Sequence, residues 1–120
     1  MPNNAIAGTA YVKVDGEQYT LGGSFSVSPA TVIREGVTGL SGPAGWTETP
    51  RVPFVEGDGL TTEGFSAKKL EGIRNATVTV ELVSGRTYVL NEAWQAGDIT
   101  IDTAAGTVSL RFEGMNCVEM

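Results

Sequence analysis

Thr38-Gly-Leu-Ser-Gly-Pro-Ala-Gly-Trp-Thr-Glu-Thr-Pro50 lies between two stretches that read as strands, Ala30–Val37 (ATVIREGV) and Arg51–Asp58 (RVPFVEGD). Gly, Pro, Ser and Thr dominate it, the residues that turn chemistry selects. The composition predicts a long inter-strand loop over 38–50, where a hairpin normally needs about two to five residues. Long ordered loops in compact domains are usually functional, and an aromatic such as Trp46 within one suggests a contact surface. The alternative, that Trp46 folds back over the domain's own core, stands level with it.

On the N-terminal side, residues 1–7 read as a flexible arm. Thr9–Val14 alternates, Asp15-Gly16 is a tight hairpin turn, and Glu17–Leu21 returns as a strand. Ser24–Ser28 places Phe25 and Val27 inward, and Pro29 ends that register. Ile33, Glu35 and Val37 share a face, with Val32 and Arg34 on the other. Pro53 marks an edge, a strand end or a bulge.

On the C-terminal side, Ser66 is an N-cap candidate before a short helix, Ala67–Glu71. Leu70 and Ile73, with Ala67 or Phe65, form its buried face; Lys68 and Lys69 read as solvated. Ala76–Val83, Arg86–Leu90, Asp98–Asp102 and Thr107–Phe112 are strands, with Ile99, Ile101, Val108, Leu110 and Phe112 inward. Trp94 is expected to plug the core end. The pattern predicts one domain over 1–120. It is mainly β, with about eight to ten strands in two packed antiparallel sheets, a sandwich or partly open barrel with one short helix at the edge.

Composition narrows function. Fourteen acids against eight bases give a net charge of −6, which opposes tight nucleic-acid binding yet suits nucleic acid passing without sticking. No apolar run approaches about 18 residues, so no membrane span is expected, and the N-terminus does not read as a signal peptide. The one cysteine, Cys117, cannot form an internal disulfide, which fits synthesis in a reducing cytoplasm. With no histidine there is no Ser-His-Asp or Cys-His arrangement and no Cys/His metal cluster. A phosphate loop is missing as well. The expectation is no enzyme, no catalytic or metal-binding residues and no cofactor.

GTAYVKVDGEQYTLGGSFSVSP, TVIREGVTG, PRVPFVEGD, NATVTVELVSGRTYVLNEAW and RFEGMNC together resemble, in order and over nearly the whole chain, the tail tube proteins of Mu-like contractile-tailed phages and prophages. The resemblance implies a structural subunit. Six-membered rings would stack into the inner tube of a virion tail. Neighbouring sheets would join into one barrel, with sheath around it, a baseplate or tail tip complex at its end, and DNA in transit. On that footing Thr38, Gly39, Leu40, Gly42, Pro43, Gly45, Trp46 and Pro50 are expected to form an inter-ring contact. Glu35, Glu48, Glu56 and Asp58 are candidates to line the lumen. The competing class is a non-catalytic β-sandwich binding module that recognises a glycan or protein through Trp46.

Overall fold

Asp15 and Gly16 have φ of 50° and 84°, the primed turn geometry that matches strand twist. They join β1 (Thr9–Val14) to β2 (Glu17–Tyr19) in the computed structural model, which describes residues 8–120. The expected arm over 1–7 lies outside the described residues. Next come β3 (Leu21–Ser28), β4 (Val32–Gly39), β5 (Gly42–Pro50) and β6 (Phe54–Leu60). Helix α1 (Ala67–Glu71) leads to β7 (Ala76–Leu82), β8 (Thr87–Gln95), β9 (Ile101–Asp102), β10 (Thr107–Glu113) and β11 (Asn116–Glu119).

All pairings are antiparallel and form two layers. The first runs β2-β1-β7-β8, with β11 on the far side of β8. The second runs β3-β6-β10 and meets β8 again at Trp94–Gln95. β8 therefore belongs to both layers, and Glu92, at φ 51°, sits in the strand just before the crossing. Beyond β8 the chain keeps following β10. Ala96 N–H donates to Arg111 O at 2.9 Å, Ser109 N–H donates to Thr100 O at 3.1 Å, and β9 pairs with Thr107–Val108. Trp94 to Asp102 thus forms a fourth strand of the second layer, broken by a bulge around Gly97–Ile99.

The core fills the space between the layers. Val12, Val14, Val78, Val80 and Leu90 come from the first, Val55, Val108, Leu110 and Phe112 from the second, and Leu70 from α1. Alternation makes this core. On β10, Val108, Leu110 and Phe112 are buried while Arg111 and Glu113 turn to the outer face. The Ser66 side chain accepts from Lys69 N–H at 3.3 Å, as the capping signal required. Gly59 and Gly114 stand where a Cβ would lie 2.7 Å from Leu110 and Leu90 respectively.

Four expectations change. The stretch 38–50 is no loop: the chain reverses at Leu40-Ser41 and Gly42–Pro50 is a strand throughout. Gly and Pro are tolerated there because a two-stranded ribbon consists entirely of edges, so a missing donor or a positive φ breaks no outer ladder. Trp94 does not plug the core; it is half-buried opposite Glu113, and the buried neighbour is Ala93. Ile101 is exposed on the edge. Eleven strands are present among the described residues, including β11, which the sequence pattern missed.

Replacing Phe112, the largest fully buried side chain, by Ala is expected to lower unfolding free energy by about 3–5 kcal/mol. Urea denaturation followed by tryptophan fluorescence measures this.

Candidate interaction arm and sheet face

β3 and β6 pair with Ser28 opposite Phe54; β4 and β5 pair with Val32 opposite Pro50. Each strand has advanced four residues, so the register is unchanged across the break. Leu21 to Leu60 is one β-ribbon. Its lower half belongs to the second layer and its upper half stands free. Pro29 and Pro53 occupy facing positions at the break, where neither can donate. Arg51 bridges it. Its backbone N–H donates to Thr31 O at 2.8 Å, and Nη2 donates to Ala30 O at 2.8 Å and Ser28 O at 3.3 Å. Its guanidinium lies 5.3 Å from the Phe54 ring centre, with Arg111 over the same ring at 4.1 Å.

The eight residues of β4 reach roughly 27 Å beyond this root at the strand rise. The long dimension of the molecule is 61 Å, and its radius of gyration is 17.1 Å against about 14 Å for a compact chain of this length. One face of the arm carries Arg34, Trp46 and Glu48. Arg34 Nε is 2.9 Å from Glu48 Oε1, and its guanidinium is 5.4 Å from the Trp46 ring centre. The other face carries Ile33, Glu35, Val37, Thr47 and Thr49. Trp46 is 63% exposed, so it does not cap the core; Leu40 at the tip is fully exposed. Gly42 and Gly45, at φ 125° and 151°, hold conformations that suit glycine beside the tip and at the bulge opposite Val37–Thr38.

The four acids do not form one cluster. Glu35 and Glu48 lie on opposite faces of the arm. Glu56 and Asp58 share the outer face of β6, alongside Ser26 of β3 and Arg111 and Ser109 of β10. Glu56 is paired to Arg111 at 2.6 Å, and Glu113 meets the same guanidinium at 3.1 Å. That face is therefore rich in hydroxyls and ion pairs. Among the described residues no group of three or more Cys, Asp or Glu could hold a metal. Burial pushes the Cys117 thiol up, with Glu119 adding to it, away from a reactive thiolate. Sequence reasoning missed Arg51 and the edge Trp94–Asp102. The facing positions of Pro29 and Pro53 become visible only once the register is known.

The two-layer β-fold is shared with a solved structure. A chain in the cryo-electron-microscopy structure of the sheath/tube terminator of PVC, an extracellular contractile injection system, superposes with a TM-score of 0.61 over 92% of this chain and 91% of that one, at 11% identity. The family model for phage tail tube proteins matches residues 3–119, and the chain belongs to that family. It is 33% identical to the tail tube protein of Escherichia phage Mu over 113 residues, 92% of this chain and 91% of that one. It is 28% identical to the Mu-like prophage FluMu tail tube protein of Haemophilus influenzae over 110 residues, 92% of each. Tail tube proteins are structural components of the virion tail.

Because the arm contributes nothing to the core, replacing Ile33–Thr49 by a tight Asn-Gly turn is expected to move the melting temperature by no more than about 2 °C, roughly a few tenths of a kcal/mol. Differential scanning calorimetry checks this; a large drop would mean that the arm supports the body.

Proposed function

We propose that the chain forms six-membered rings that stack into the inner tube of a contractile tail, with sheath outside, a baseplate or tail tip at one end, and DNA passing through. The observation that carries this is the second layer. Its four strands alternate in direction, so the free outer edge of β3 and that of Trp94–Asp102 run opposite ways. Head-to-tail neighbours would therefore join these edges as an antiparallel pair, the commoner and slightly stronger pairing. The first layer has five strands, β2 to β11, and the same operation would set its edges parallel.

The strand count is compatible with the six copies that the resemblance implies. Six copies give about 24 strands. At roughly 4.8 Å spacing and 40° tilt that is a backbone diameter of about 48 Å, which leaves a wide channel after side chains. Three copies would give about half of that, a much narrower channel. The arm supports the axial role. Thr38–Pro50 stands beyond the body, where it can cross to the adjacent ring with Leu40 and Trp46 as apolar anchors. The outer face of β3, β6 and β10 is the candidate lumen wall. Serines, ion pairs and Asp58 would present few free cations to phosphate.

Purified protein, concentrated and viewed by negative-stain electron microscopy, is expected to form rings or tubes of constant diameter. The shortened-arm variant is expected to stay folded and form rings but no long tubes. Particles that remain monomeric at every concentration, even with tail tips as seeds, would sink the reading.

Asp58→Lys tests the wall. Assembly is expected to persist while genome ejection slows, because the added cation attracts phosphate. An unchanged ejection rate in a single-particle release assay would move Asp58 off the channel.

A further inference from the structure

The ribbon has two ends, and they differ. At the tip, Leu40 projects an isobutyl group entirely into solvent from the turn between Gly39 and Gly42. At the foot, at the opposite end of the ribbon, lies a cavity of about 140 Å³. It opens where Thr20, Gly59 and Leu60 end the ribbon, between β2 and the segment that leads into α1. Phe65, Val108 and Leu110 supply apolar wall, and Leu110 packs over Gly59. Glu17 and Lys69, an ion pair, hold one side of the opening.

An apolar group this exposed, on a ribbon with no core beneath it, needs a partner to be buried. The cavity is close in volume to engineered cavities of about 150 Å³ that accept benzene, but it is open and its rim is polar, with Glu17, Gln18, Thr62, Ser66 and Lys69 around the apolar wall. A four-carbon side chain fits within that limit. Tip and cavity cannot meet within one molecule, because the paired ribbon holds them apart.

We propose that Leu40 of one copy seats in this foot cavity of a second copy in the adjacent ring. This rests on the tube reading above and names the receptor for the arm. The contact is heterologous, tip to foot, so each copy offers one donor end and one acceptor end. Such contacts propagate without closing, which is what stacking demands. The tube is polar as a result, every arm pointing the same way.

The test uses the full chain in a Cys117→Ser background. Leu40→Cys and Thr62→Cys, the latter on the cavity lining, are combined. Oxidation of assembled tubes is expected to give covalent multimers on denaturing gels, and oxidation of dissociated subunits is not. In parallel, Leu40→Asp is expected to form rings whose stacks are at least tenfold shorter than wild type, while Leu40→Met keeps full-length tubes. Full-length tubes from Leu40→Asp, or tubes that never cross-link, overturn the proposal and leave the tube reading standing. A wild-type protein that makes rings but no stacks overturns the proposal too. Failure to make rings at all overturns the tube reading itself.

Discussion

One antiparallel ladder, Leu21 to Leu60, governs the arrangement of this molecule. Half of it is sheet and half is arm, and the register carries unchanged across the break between them, so the direction of the arm is set by the strands below it. Two prolines facing each other should have ended the ladder, since neither can donate. Arg51 offsets that loss. Its guanidinium occupies the carbonyls of Ser28 and Ala30, and its own backbone donates to Thr31. Charge-assisted bonds of this kind are stronger than the neutral bonds they replace. The root is thereby stiffened at the place where the strand chemistry is weakest.

The arm is poorly provided for on its own. Its charged pair, Arg34–Glu48, is exposed and contributes at most about 1 kcal/mol. The Arg34–Trp46 contact adds about 0.5–1 kcal/mol at an exposed site. Against this stand about 1–2 kcal/mol of backbone ordering for each of its residues. An isolated two-stranded ribbon is marginal in water. Ile33, Val37, Leu40 and Trp46 therefore carry stabilisation that is realised only when another surface covers them. The second layer is similar: among the described residues its end strands β3 and β9 pair with one strand each, β6 and β10.

Much of the body was legible in the sequence because its signals are local. Asp15-Gly16, the Ser66 cap and the alternation of Val108, Leu110 and Phe112 each depend on neighbours a few residues apart. The arm was misread because its glycines and prolines carry opposite meanings at an edge and in a centre. Nothing local states that β5 would have no second neighbour. Trp94 and Ile101 were misassigned for a related reason: Trp94 takes its face from its pairing with Glu113, and Ile101, although opposite buried Val108, is uncovered because it sits at the sheet edge. The candidate acids could be found but not sorted. Which face Glu35 and Glu48 occupy depends on the pairing of Glu35 with Thr47 and Arg34 with Glu48, a property of register. The charge partner of Glu56, Arg111, lies 55 residues away.

A marginal arm on a stable body orders events. Lateral edges can pair as soon as two bodies meet, because the four strands of the second layer are already held by the core. Burial of the arm needs a surface beyond its own body, and its ordering cost falls on the first contact made there. Binding that fixes a loose segment spends part of its gross interaction on that fixing. An axial contact by one subunit alone is thus weak. A ring of the proposed kind would present several arms at once, and after one had seated the others would act at high effective concentration. In the proposed tube, stacking would be favourable between rings and unfavourable between loose subunits, and the weakness of the isolated arm would make elongation proceed ring by ring.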